Sequence, residues 1–209
     1  MLAEATHREA HSHADTLPTL VERVLTDAGR TIEDLDGLAV SIGPGSFTGL
    51  RIGLAFAKGI AFAGRLPIAP VPTLEALAWV AGAAPGETIC AALDARKREV
   101  YAAFFRVNPG GRLVRLTPDA ALSPAALGTR LEKGMILVGD AAEVYTDVLG
   151  TPATVRSFVN HHPSGGVVAR LGTAQLLAGH ATRPEAGLGA LEPVYVRPAD
   201  AELPQPASR

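Results

Sequence analysis

The chain has a single cysteine, Cys90, in 209 residues, so it forms no intrachain disulfide and no thiolate zinc cluster. Cys90 falls in an apolar, strand-like run and reads as inert core rather than as a nucleophile. Charge is scarce too: charged residues make up 19% of the chain against 47% hydrophobic, and the formal net charge is −2. That balance supports a sizeable core, argues against disorder, and excludes a protein that grips nucleic acid by itself through a basic surface. The densest basic cluster, Arg96-Lys97-Arg98, reads as a solvated turn. There is no signal peptide, and no uninterrupted apolar run reaches the ~20 residues of a membrane span. A cytoplasmic protein without a membrane role is expected.

What is present centres on Leu38–Gly64, LAVSIGPGSFTGLRIGLAFAKGIAFAG. Leu38 to Ile42 is a short apolar run between glycines, which suits a strand covered on both faces. Gly43, Gly45 and Gly49 permit a tight turn, and Ser46 or Thr48 can cap the helix that follows. In that helix Gly49, Gly53, Ala57 and Ala61 recur every four residues as a small-residue stripe. Leu50, Ile52, Leu54, Phe56, Ile60 and Phe62 cover most of the remaining circumference, and Arg51 and Lys58 are its only charges. A helix apolar nearly all round is buried on more than one side. One side packs on its own sheet, and the other predicts a subunit interface.

Upstream, His7 and His11 have the i, i+4 spacing of a helical metal pair. With no nearby cysteine or placed carboxylate, they read as surface or cap histidines. Ser12-His13-Ala14-Asp15 reads as a capping box opening a helix over Ser12–Ala28. Its apolar face is Leu17, Leu20, Val21, Val24, Leu25 and Ala28, and Gly29 stops it. Downstream, Leu66–Val71 reads as an edge strand, and Thr73 as the cap of a helix ending near Gly82. Ala83-Ala84-Pro85-Gly86 reads as a boundary. Strands follow over Thr88–Leu93, Val100–Val107 and Arg112–Leu116, then a helix capped by Ser123 and a strand over Met135–Val138. A helix over Ala141–Leu149, a strand over Ala153–Val159 and a long helix over Gly165–Ala178 complete the second half. Leu191–Pro198 is extended and precedes a tail.

Strands alternating with helices imply a largely parallel α/β architecture. The expected domains are a first lobe over 1–84, a second lobe over 85–190, and an extended segment with its tail over 191–209. Both halves share one order of elements, except that the first lacks the hairpin that opens the second. That gap predicts a reading frame continuing upstream by about 20 residues.

The glycine turn fits no common catalytic motif. GPGSFTGLRIG has no Gly-Lys pair for a P-loop, and Thr48 stands where the dinucleotide fingerprint needs its third glycine. Pro44 occupies the first glycine position of a nucleophile elbow around Ser46. An anion site on the helix N-terminal amides, at Gly43, Gly45, Ser46 and Thr48, remains beside the plainer reading of close packing. Asp94 is the best isolated carboxylate, and its plainer reading is a turn stabiliser.

DLDGLAVSIGPGSFTGLRIGLAFAKGIA, PTLEALA, LDARKREVYAAFF, LVGDAA and PVYVRP, with HSHADTLPTLVERVLTDAG before them, together resemble the bacterial TsaB (YeaZ) family of tRNA threonylcarbamoyladenosine biosynthesis proteins. The likeness spans essentially the whole chain. It implies an actin-like ATPase fold of two ribonuclease H-like lobes, the first here without its opening hairpin. It also implies a non-catalytic subunit that binds no cofactor by itself. Its partner, TsaD, would transfer the threonylcarbamoyl group to adenosine 37 of ANN-decoding tRNAs. ATP and metal are expected in partner subunits, TsaE joins as a P-loop ATPase, and tRNA is met only through the complex. Docking is implied through the first two helices, over Leu17, Leu20, Val21, Val24, Gly49, Arg51, Gly53, Leu54, Ala57, Lys58 and Ala61, with a homodimer as the fallback of the isolated chain. The alternative is an autonomous actin-like nucleotide hydrolase or an inactive peptidase homologue, for which Asp94 would grip phosphate.

Overall fold

In the computed structural model the structure describes residues 1–7, 13–149, 154–155 and 162–197. The first helix, α1, runs His13–Ala28. It ends at Gly29, whose φ of +62° lets the Arg30 N–H return to the Leu25 carbonyl at 2.9 Å. His11 and Ser12 lie outside the described residues, so neither the histidine pair nor the capping box is placed. Strand β1 (Leu38–Ser41), helix α2 (Phe47–Gly64) and strand β2 (Ile68–Val71) form a parallel unit, in register from Leu38 opposite Ile68 to Ser41 opposite Val71. Helix α3 spans Thr73–Val80.

The second half opens with antiparallel β3 (Thr88–Asp94) and β4 (Val100–Val107). Two short strands, β5 (Leu113–Arg115) and β6 (Ala120–Leu122), share the outer edge of β4. The single strand expected at Arg112–Leu116 is therefore shorter, and β6 is an addition. The ladder breaks at Thr117-Pro118, where the Thr117 hydroxyl accepts the Phe104 N–H at 3.0 Å. Helix α4 (Pro124–Gly128) is capped by Ser123, whose hydroxyl accepts the Ala126 N–H at 3.2 Å. Strand β7 (Ile136–Val138) pairs in parallel with β3, and β8 (Thr154–Val155) with β7. Most of the expected strand over Ala153–Val159 lies outside the described residues.

The helix expected over Ala141–Leu149 is instead two short ones, α5 (Ala141–Val144) and α6 (Thr146–Leu149). Tyr145 leaves the helical region between them, and its hydroxyl donates to Asp94 Oδ1 at 3.0 Å. Partial desolvation, and then the carboxylate it faces, raise the Tyr145 phenol above the ordinary tyrosine range.

Alternation along β3 divides the core. Ile89, Ala91 and Leu93 point to one face, with Phe105, Ile136 and Val138, and meet Leu74, Leu77 and Ala78 of α3. Cys90 and Ala92 point to the other face, with Leu137, and meet Leu127, Ala141 and Leu149. Helix α3 thus comes from the first half and covers the sheet of the second.

Helix α7 (Gly165–Leu177) runs the other way in space. It follows the second half in sequence but packs on β1, β2 and α3. Strand β1 is consequently sandwiched. Leu38, Val40 and Ile42 face α2 with Leu54 and Ala61, while Ala39 faces α7 with Val71 and Val168. Among the described residues the remaining edge of β1 carries no strand, whereas the equivalent edge of β7 carries β3.

Gly172 sits where α7 crosses β1, and an added Cβ would overlap Ala39 and come within 3.3 Å of the Ala69 Cβ. Gly172→Ala gains up to about 1 kcal/mol of helix propensity but overpacks the crossing by roughly 1–3 kcal/mol. The expected net effect is destabilisation in urea melts, and a more stable variant would contradict this packing. For Tyr145, a folded pKa above the unfolded one means a contribution fully present below pH ~10 and lost as pH rises through the folded value. Loss of the part-buried hydrogen bond to Asp94 in Tyr145→Phe is expected to cost at most about 1 kcal/mol at pH 7, the contact being open to solvent screening. That difference from wild type should shrink in urea melts above pH 10, and a constant difference would count against the Asp94 contact.

Candidate functional site

The glycine turn is closed on itself. Gly43, at φ +115°, precedes a cis peptide bond to Pro44, and the Val194 carbonyl oxygen lies 2.6 Å from where a Cβ would stand. Only glycine admits that approach. The Val194 N–H donates to the Ile42 carbonyl at 2.7 Å, and the Thr73 N–H to the Gly43 carbonyl at 2.8 Å. The Thr73 hydroxyl does not cap α3 as expected: it accepts the buried Gly43 N–H at 3.0 Å and pairs with the Ser41 hydroxyl at 2.7 Å. Burial explains this correction, since Gly43 N–H would otherwise lack a partner.

Ser46 is the cap of α2, its hydroxyl accepting the Gly49 N–H at 3.3 Å, while Thr48 lies inside the first turn rather than at the cap. Of the four residues considered for an anion site, Gly43 has thus spent its amide, Ser46 has spent its hydroxyl on Gly49, and Gly45 sits beneath the Leu50 side chain. The turn is a joint between α2, α3 and the segment around Val194.

Asp94 is committed to the hairpin that follows it. Its side chain is 6% exposed, and its Oδ1 accepts both the Tyr145 hydroxyl and the Arg96 N–H at 3.0 Å. Its own N–H donates to Asp140 Oδ1 at 2.8 Å. The tip of this hairpin is unusual: Arg96, Lys97 and Arg98 all have left-handed backbones, with φ of +61°, +52° and +59°. Each costs an L-residue roughly 1–2 kcal/mol relative to a right-handed conformation. The turn is clamped by Ala95 N–H to Glu99 O and Glu99 N–H to Arg96 O, both 3.0 Å. Arg197 braces it from outside, reaching Glu99 Oε2 at 2.8 Å. Cys90 has no chemical role at neutral pH, because burial pushes its thiol up to about 12.

The remaining candidate is the α1–α2 surface. No residue of Thr16–Ala28 is fully buried, so Leu17, Leu20, Val21 and Val24 keep part of their apolar surface open. In α2 only Leu54 and Ala61, of 18 residues, are buried. These two belong to the chain's own core against Ile68 and Leu191, and Ala57 packs partly there as well. The small-residue stripe therefore turns inward toward its C-terminal end. The outward ridge is Thr48, Arg51, Ala55, Gly59 and Phe62, spaced three or four apart on one face, with Phe62 76% exposed. Gly53 and Gly59 have open space where a Cβ would project. Gly49 and Lys58 are half-buried beside them.

At the head of this ridge Phe47, Arg51 and Tyr195 form a cluster that spacing along α2 could not reveal. Arg51 Nε donates to the Tyr195 hydroxyl at 2.9 Å and its guanidinium lies 4.0 Å over the Phe47 ring, whose centroid is 5.2 Å from that of Tyr195. The one available signal was the expectation of an extended segment from Leu191, which implies a partner without saying which.

Residues 2–158 match the family model described as TsaD: tRNA N6-adenosine threonylcarbamoyltransferase. The Escherichia coli (strain K12) tRNA threonylcarbamoyladenosine biosynthesis protein TsaB is 34% identical over 140 residues, 65% of this chain and 61% of that protein, so the chain spans about three fifths of this relative's length. The Bacillus subtilis (strain 168) protein of the same name is 29% identical over 198 residues, 91% of this chain and 82% of that one. The solved structure of YeaZ from Pseudomonas aeruginosa superposes with a TM-score of 0.74 at 27% identity, covering 90% of this chain and 87% of that one. The fold is therefore that of the actin-like ATPases, as the resemblance implied. The chain belongs to the TsaD-type tRNA N6-adenosine threonylcarbamoyltransferase family and falls with its TsaB (YeaZ) members.

Proposed function

We propose that the chain is a non-catalytic docking subunit of a tRNA threonylcarbamoyladenosine transferase, binding a TsaD-type catalytic subunit through α1 and α2. The observation that carries this reading is the two-helix layer itself: Thr16–Ala28 of α1 without a fully buried residue, and α2 with two. Exposed apolar ridges of this kind mark surfaces completed by another protein. A related actin-like chain is the partner favoured by the names of the relatives and of the family model.

The groups this chain could offer to chemistry support a scaffolding role. The Gly43 amide, the Asp94 carboxylate and the Cys90 thiol are each occupied or buried within its own structure. In this proposal ATP and metal belong to the partner subunits, a TsaE-type ATPase joins the pair, and tRNA meets the chain only in the complex. Without its partner the same ridge would support a homodimer. Among the described residues no helix is long and apolar enough to cross a membrane, and a cytoplasmic setting belongs to the same proposal.

The test is co-purification with the catalytic subunit, followed by a tRNA modification assay. Gly53→Leu and Gly59→Leu add side chains where the isolated chain has open space, and they raise helix propensity by up to about 1 kcal/mol. The isolated variants should therefore be at least as stable as wild type. Association should weaken by about 1–3 kcal/mol, roughly 5- to 150-fold, through overpacking of the close contact. Phe62→Asp should weaken it as well. Unchanged capture of the catalytic subunit by all three variants would overturn the assigned face. ATP turnover by the purified chain alone, lost in Asp94→Ala, would overturn the non-catalytic role.

A further inference from the structure

We propose that the left-handed basic turn Arg96-Lys97-Arg98 contacts the phosphodiester backbone of the tRNA substrate when the chain sits in its transferase complex. The inference rests on the reading above and adds to it a residue-level contact with the substrate.

Two independent observations carry it. The first is a conflict between backbone and residue choice. Three consecutive left-handed positions are sites where glycine or asparagine is far easier to accommodate. The chain instead places three long cations there, and all three residues are exposed. The strained conformation is imposed by the clamp around it: Asp94 holding the Arg96 N–H, Ala95 and Glu99 closing the turn, and Arg197 gripping Glu99. Backbone strain kept by surrounding structure at a solvent-facing tip points to a function for what the tip displays. What it displays is positive charge, on a chain whose net charge is −2.

The second observation is where the turn sits. The cluster at the head of the docking ridge joins Arg51 to Tyr195, and two residues later Arg197 joins Glu99 and the Ala95 carbonyl beside the basic turn. Two peptide units span about 7 Å. The basic tip is thus tied, through residues 195–197, to the same segment that orders the head of the proposed docking ridge, and the proposal lays the tRNA held by the partner subunit across this tip. The acids behind it are only partly turned to the basic tip. Asp94 is held by Tyr145 and the Arg96 N–H and lies 3.3 Å from the Arg96 guanidinium, whose side chain is 88% exposed, and Glu99 is taken by Arg197. Backbone contact by cations is sequence-independent, which suits a subunit serving several tRNAs.

The experiment measures binding of a tRNA transcript to the assembled complex across a salt series. The triple variant Arg96→Asn, Lys97→Asn, Arg98→Asn removes the charges with a residue that tolerates the left-handed region. A second triple variant, with glycine at the same three positions, removes the charges and the strain together, so the turn has no reason to misfold. Both should keep the catalytic subunit bound, weaken tRNA binding about tenfold or more at low salt, and flatten the log–log salt slope by roughly 2–3. Arg96→Lys with Arg98→Lys should retain wild-type binding. An unchanged salt slope in a complex that still assembles overturns this inference alone. So does loss of partner capture by the charge-removing variants, which would make the turn a protein contact. A wild-type chain that fails to capture the catalytic subunit overturns the docking reading, and this inference with it.

Discussion

The burial of α3 between the second-half sheet and helix α7 is the constraint from which the rest of the architecture follows. Five of its eight residues, Thr73, Leu74, Ala76, Leu77 and Ala78, are buried. Leu74 and Leu77 fill the face of the second-half sheet, whereas Ala76 turns toward Val71 and Val168. Each fully buried leucine is worth roughly 1.5–3 kcal/mol, and here that energy joins the two halves. Thr73 carries the consequence into the glycine turn, because a helix lodged this deep cannot leave the Gly43 amide to solvent and its own side chain must satisfy it.

The chain then crosses back over what it has built. Helix α7 covers the face of β1 and β2 opposite α2, and residues 191–197 run past the glycine turn to the tip of the second-half hairpin. The proposed docking ridge is held by this return. Leu191 packs beneath Leu54 and Ala61, Val194 hydrogen-bonds to Ile42, and Tyr195 orients Arg51 and Phe47. In the proposed complex a partner on α1 and α2 would meet a surface braced from behind by the last described residues. Its outer ridge can stay apolar because the inner face is already satisfied.

Much of this was legible locally. The bounds of α1, α2, β3, β4 and α7 follow from apolar periodicity and from glycine and serine punctuation, and they agree within a residue or two. The glycine turn was legible as a place of close approach, and Asp94 as a turn residue. Less legible was which side of α2 faces out. Gly49, Gly53, Ala57 and Ala61 form a single stripe by spacing, yet Ala61 is fully buried and Gly53 looks onto open space. A stripe at a four-residue interval drifts around a helix of 3.6 residues per turn, so its two ends need not share a neighbour.

By itself the sequence determined most of the order of elements, the α/β class and the family, because these reside in spacings of two to four residues and in short motifs. Tertiary structure decided everything that depends on segments meeting across long separations. It sent α7 to the first half, turned the Thr73 hydroxyl from a helix cap to Gly43, broke a helix at Tyr145 to reach Asp94, and set Tyr195 on Arg51. The left-handed conformation of Arg96, Lys97 and Arg98 belongs to the same class. No local preference of arginine or lysine favours it, and the clamp that enforces it includes Arg197, about a hundred residues away along the chain.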